Sequence, residues 1–232
     1  MLATFLVVAA LQLTTQNRDE PPAPDDFVAD PSWKPLGPSL WFEPRSRHLI
    51  LRTQVVLREG ALEHLLCLKG TKEHEAILAT RAVPQRIHAG LLLTGAEPGH
   101  PVQFLPTFRP PAGTPIAIEL EWKEGNQTRR ADARTWVLDE KRNAPLKEDW
   151  VFAGSQIFED PETKKPYYLA DDGDLITVAN FATAILDVPF ASSAEDAGRL
   201  HVARTEAIPP MGTYVTMTLK PRTLPGKPAQ ER

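Results

Sequence analysis

The sequence is poor in cysteine: Cys67 is the single one among 232 residues. An intramolecular disulfide, a four-cysteine zinc site and an iron–sulfur cluster are therefore all excluded. Its surroundings, "LLCLK", predict a buried apolar thiol. No run approaches the roughly 20 apolar residues that a membrane-spanning helix requires, so the mature chain should carry no transmembrane span. Charge of one sign is also missing. Lys and Arg number 26 against 30 Asp and Glu, a net charge of -4, and the basic residues are dispersed. A duplex-binding face needs concentrated cations to displace counterions, so nucleic acid is not expected as a partner.

Several chemical signposts are absent too. There is no G-x-G-x-x-G and no G-x-x-x-x-G-K-[ST], which removes the common phosphate-cradling loops. "AGSQIF" lacks the G-x-S-x-G nucleophile elbow. "ADDGD" (Ala170–Asp174) lacks the spaced ligands and the closing glutamate of a calcium loop. "HEAIL" starts like the zinc helix H-E-x-x-H, but the second ligand position is Leu78, so both imidazoles cannot sit one turn apart.

Proline, by contrast, is plentiful at 23 residues, and hydrophobic residues make up 42%. The chain opens with an apolar run from Leu2 to Leu13, the length of a signal-peptide core, and Val8 and Ala10 suit cleavage after Ala10. Residues 1–15 are read as an export segment, which places the protein in the periplasm or cell envelope. Residues 16–46 read as a proline-rich linker that docks through Trp33, Trp41 and Phe42. Residues 222–232 form a polar tail expected to be disordered.

Between these lies one folded domain, residues 47–221. "HLILRTQVVLRE" alternates as a half-buried strand, and "HLLCL" is apolar on both faces, as in a strand deeper in a sheet. Two short helices follow. In the first, about 72–80, Thr71 caps and Glu73 and Glu75 match the helix dipole. In the second, about 84–95, Pro84 stands at the first position and Gly95 at the end, with Ile87, Leu91 and Leu92 apolar. Further strands are expected in "PIAIELEWK", "ARTWVLD", "WVFAGSQIF" and "TYVTMTLKP", with a hairpin about Asp172–Gly173. The expected fold is α+β, a mostly antiparallel sheet with an inserted helix pair.

His64, Glu73, His74, Glu75 and His88 are the candidate ligand or metal residues. Two imidazoles with a carboxylate suit zinc or ferrous iron. The competing reading makes the glutamates dipole-matching surface residues and the histidines structural. Caps and dipole charges explain polar residues ahead of Ala76, but they do not call for histidine at position 74.

"LREGALEHLLCLKGTKEHEAILAT", "RIHAGLLLTGAEPGHPVQF", "WVFAGSQIF", "DLITVANFATAILDVPFASS" and "IPPMGTYVTMTLKP" together resemble bacterial proteins with a YdjY domain. The resemblance runs in order from about His48 to Pro221. It implies an exported protein and supplies no catalytic residues to carry over. Some relatives bear a ferredoxin-like label, which the single Cys67 cannot support. Three functional readings stand at this point: a ligand- or partner-binding domain of the envelope, a metal-dependent or acid–base hydrolase or redox enzyme using Glu73, His74, Glu75 and His88, and a purely structural envelope protein.

Overall fold

The computed structural model describes residues 27–192 and 201–222. The export segment, residues 16–26 of the linker and nearly all of the C-terminal tail lie outside the described residues. The main sheet comprises β1 (Lys34–Gly37), β2 (Leu40–Glu43), β3 (His48–Val55), β4 (His64–Leu68), β5 (Ala76–Thr80), β6 (Pro115–Glu124), β7 (Gln127–Asp132), β8 (Trp150–Phe152), β9 (Asp174–Thr177), β10 (Leu186–Asp187) and β11 (Tyr214–Pro221). One α-helix, α1, spans Pro84–Thr94.

Eight of these strands close a barrel in the order β3, β11, β6, β8, β10, β9, β4, β5 and back to β3. The closing contact pairs Thr53 with Thr80 and Val55 with Leu78. β1 and β2, from the segment read as linker, form a hairpin on the start of β3. Phe27 packs against Trp41 at 5.0 Å, and Arg52 lies 4.7 Å over the Phe27 ring.

The barrel has two kinds of wall. β3, β6 and β11 pair antiparallel and alternate. Leu49, Leu51, Val55, Ile116, Ile118, Leu120, Val215, Met217 and Leu219 are buried, while Arg52, Gln54, Glu119, Glu121 and Thr216 reach outward. Period-two patterning of this kind is what a wall with one wet face demands. The other wall contains two parallel pairs, β4 with β5 and β9 with β10. Here nearly every residue is buried, including all of Ala76–Thr80. A small outer cluster of Cys67, Ala76 and Ala79 covers the far side of β4 and β5. Burial there pushes the Cys67 thiol up to about 12.

The α+β expectation is overturned: the domain is mostly β, with one α-helix among the described residues. The helix expected over 72–80 does not form. Residues 69–75 make a turn, and Ala76–Thr80 is a strand. An apolar stretch of only 5 residues, buried on both faces, suits a central strand, whereas a globular helix runs about 10 or more. Thr71 does not cap a helix; its hydroxyl donates to the Leu68 carbonyl at 2.6 Å.

The helix expected over 84–95 is present. Gly95 ends it with φ 90°, and the Gly95 and Ala96 N–H groups return to Leu92 and Leu91. Arg47 also donates to the Leu93 and Thr94 carbonyls, satisfying helix-end acceptors. Ile87 and Leu91 are buried but Leu92 faces out, because the buried stripe runs through Pro84, Ile87, Leu91 and Thr94.

The Asp172–Gly173 hairpin is also absent. Leu169–Asp172 is a 3-10 turn. It sends its two flanks apart: Pro166–Tyr168 pairs with Ile157–Glu159, and β9 pairs with β4. An eight-stranded barrel is wide enough for its own side chains or one small ligand. Here a continuous core of buried apolar side chains occupies the interior, which leaves the mouths and the outside for a bound molecule.

Candidate functional site

Glu63, His64 and Glu75 come together where β4 and β5 begin. Parallel pairing sets His64 opposite Ala76, and the Glu75 carbonyl accepts from both the Glu63 and His64 N–H groups at 3.1 Å. The tight connection through Gly70, which has φ 90°, returns the chain to this point within residues 69–75. On the other side, the Glu63 carbonyl accepts from Val178 and Ala179, tying down the loop that follows β9.

His64 is fully buried. Its Nε2 lies 2.8 Å from Asp174 Oδ1. The carboxylate can only accept, so Nε2 carries a hydrogen; in the neutral imidazole Nδ1 then holds the lone pair. That Nδ1 is buried and makes no hydrogen bond. Its nearest acidic neighbour is Glu75 Oε1 at 3.8 Å, beyond hydrogen-bond range. One donor atom each from Glu63, His64 and Glu75 lie within 4.8 Å of one another.

The surroundings fix this geometry. Phe181 stacks on the imidazole at 5.2 Å and 26°. Thr183 donates to Asp174 Oδ2. Lys72 Nζ lies 3.4 Å from Asp174 Oδ1 and 3.9 Å from Glu75 Oε1. Burial would raise the Asp174 carboxyl, but hydrogen bonds from His64 and Thr183, with the charge of Lys72, outweigh it and hold the group below its ordinary value. Glu63 shifts the opposite way: burial, then the adjacent Glu75 carboxylate, lift it above the ordinary range. Two carboxylates crowded beside a buried imidazole lone pair repel one another and attract a cation.

The other candidates divide. His74 has a side chain 76% exposed, with Nε2 3.6 Å from Glu75 Oε2, on the solvent side of the cluster. Glu73 is committed to the turn, accepting from the Gly70 N–H at 2.5 Å. His88 lies elsewhere, on α1. Its Nδ1 meets the Tyr168 hydroxyl at 2.9 Å, its ring packs edge-on to Phe152 at 5.0 Å, and burial holds it below its ordinary pKa. It therefore joins the helix to the barrel wall and is not among the groups gathered at His64.

Sequence reasoning missed Glu63, Lys72, Asp174, Phe181 and Thr183. One signal was readable: Glu63–His64 is a polar pair opening an otherwise apolar strand, where a charge is costly unless it is paired or bound.

No helix among the described residues is long and apolar enough to cross a membrane. Comparison with curated proteins and with solved structures returned no match. The YdjY domain model matches residues 41–220, from β2 through to the end of β11. The chain belongs to the YdjY domain family.

Proposed function

We propose that the protein is an exported, divalent-metal-binding domain of the cell envelope, with Glu63, His64 and Glu75 as the metal ligands. The observation that carries the metal assignment is the His64 imidazole: Asp174 fixes its tautomer, and the buried Nδ1 lone pair has no hydrogen bond and stands among two carboxylates. A carboxylate behind a histidine is the usual outer partner of a metal-bound imidazole, where it orients the ring and raises its basicity. Donors bonded to one zinc at about 2.0–2.2 Å stand about 3.4 Å apart in a tetrahedron, so only modest side-chain adjustment is required. One nitrogen and two carboxylates suit zinc or ferrous iron, and three protein ligands leave a position open.

Isothermal titration of chelator-treated, untagged protein with Zn(II) or Co(II) should give one site per chain with a Kd in the micromolar range or tighter. Glu75→Gln removes a donor whose side chain is partly exposed, which spares the core, and should abolish the heat. Asp174→Asn keeps all three donors but loses the orienting carboxylate, and should weaken binding about ten- to a hundredfold. Undiminished binding in Glu75→Gln would place the metal elsewhere.

Export is supported by the apolar segment Leu2–Leu13. Intact mass of the protein recovered from a periplasmic fraction should correspond to a chain shortened by the leader. A full-length mass in the cytosolic fraction would contradict this.

A further inference from the structure

Lys72 is a cation already standing in a cation site. It belongs to the turn between β4 and β5, and three groups surround its ammonium: Asp174 Oδ1 at 3.4 Å, Glu75 Oε1 at 3.9 Å and the face of Phe181 at 5.3 Å. Its side chain is 27% exposed, so it can swing toward solvent without unpacking the barrel. Glu75 Oε1 also lies 3.8 Å from His64 Nδ1. The same carboxylate therefore faces both the lysine and the proposed metal position.

We infer that Lys72 competes with the metal for Glu75 and makes this centre one that takes up and gives back its ion, as a carrier or buffer does, rather than one that holds it permanently. The inference rests on the metal reading of Glu63, His64 and Glu75. A divalent ion on Glu75 and an ammonium beside the same carboxylate repel each other, so the ion binds only as Lys72 withdraws from Glu75 toward solvent. The reverse motion offers Glu75 a replacement partner as the ion leaves. The charge count agrees. Glu63, Glu75 and Asp174 set against Lys72 leave two negative charges, the number that one divalent ion neutralises.

Phe181 offers a ring face that holds the ammonium loosely, at 5.3 Å. Asp174 is anchored by His64 and Thr183, so it stays in place whichever partner Glu75 has.

The test compares three full-length proteins: the unmodified chain, Lys72→Met and Lys72→Arg. Each is chelator-treated, titrated with Co(II), and then chased with excess chelator in a stopped-flow instrument. Lys72→Met should bind at least about tenfold tighter and release the ion correspondingly more slowly, because a like charge has been removed. Lys72→Arg keeps the charge and should behave like the unmodified chain, which separates charge from packing on Phe181. Equal or weaker binding in Lys72→Met overturns the inference and leaves the metal site standing. Tighter binding in Lys72→Arg, matching Lys72→Met, overturns the charge explanation. No binding in any of the three proteins overturns the metal reading, and the inference falls with it.

Discussion

Raising the pH from about 5 to about 8.5 should cost the folded protein about 3 kcal/mol through Asp187, and Asp187→Asn should remove that loss. Asp187 is completely buried in β10. Its Oδ1 accepts from the Thr177 hydroxyl at 2.9 Å, the Asn180 amide at 3.2 Å and the Val188 N–H at 2.7 Å. Oδ2 receives the Phe181 N–H at 3.3 Å. These bonds lower the pKa, but burial outweighs them and lifts it to about 7. The folded state thus keeps a proton that the unfolded chain releases near pH 4. Between those values the folded form binds more protons, so stability falls as pH rises, and the full penalty is in place above pH 7.

Asparagine is close in shape to the neutral acid, and its carbonyl takes the place of Oδ1, but its NH2 stands where Oδ2 accepts from the Phe181 N–H and cannot accept. The variant should lie about 1 kcal/mol below the unmodified protein near pH 5 and exceed it near pH 8.5, measured by urea unfolding at both. His48 and His88 act in the opposite sense near pH 6, since burial lowers both. The difference between the two proteins cancels them. An unchanged pH slope in Asp187→Asn would mean that another group carries it. The effect reaches the proposed metal site as well, because Asp187 holds the backbone of Phe181, whose ring lies on His64.

The antiparallel wall was legible in the sequence because alternation survives wherever one face is wet. β3, β6 and β11 all show it, down to the buried Ile116, Ile118 and Leu120. The parallel wall was not. Ala76–Thr80 has no polar face to betray its period, and the acidic residues before it imitate a helix start. α1 could be read because Pro84 and Gly95 mark its ends by backbone chemistry alone, whatever the packing.

The site divides along the same line. His64 and Glu75 were recognisable as residues with costly or unexplained chemistry. Their partners were not, because Asp174 approaches from a strand more than a hundred positions away by way of an irregular register in the β9–β4 pairing. His88 resembled a third ligand in sequence, and only the fold assigns it to Tyr168 and Phe152. Local chemistry marks a residue as unusual, and topology decides which unusual residues meet.

Trp150→Ala is expected to leave the barrel unfolded or marginal at 37 °C. Trp150 is fully buried in β8, the short strand that links the antiparallel wall at β6 to the parallel wall at β10. Its indole Nε1 donates to the Thr177 carbonyl at 2.8 Å, spanning from β8 to β9 across the intervening β10. Truncation leaves a cavity, at about 3–5 kcal/mol for a large aromatic. It also leaves the Thr177 carbonyl without the indole donor, adding about 1 kcal/mol or more. Together, at about 4–6 kcal/mol, these reach the lower end of a typical domain's 5–15 kcal/mol. Trp150→Phe keeps most of the volume and loses the indole donor, so its cost should be roughly half as large. Urea unfolding of both variants separates the two contributions. Near-equal costs would show that the hydrogen bond, not the volume, couples the walls; an alanine variant as stable as the unmodified protein would show that the barrel does not depend on this residue to join its two halves.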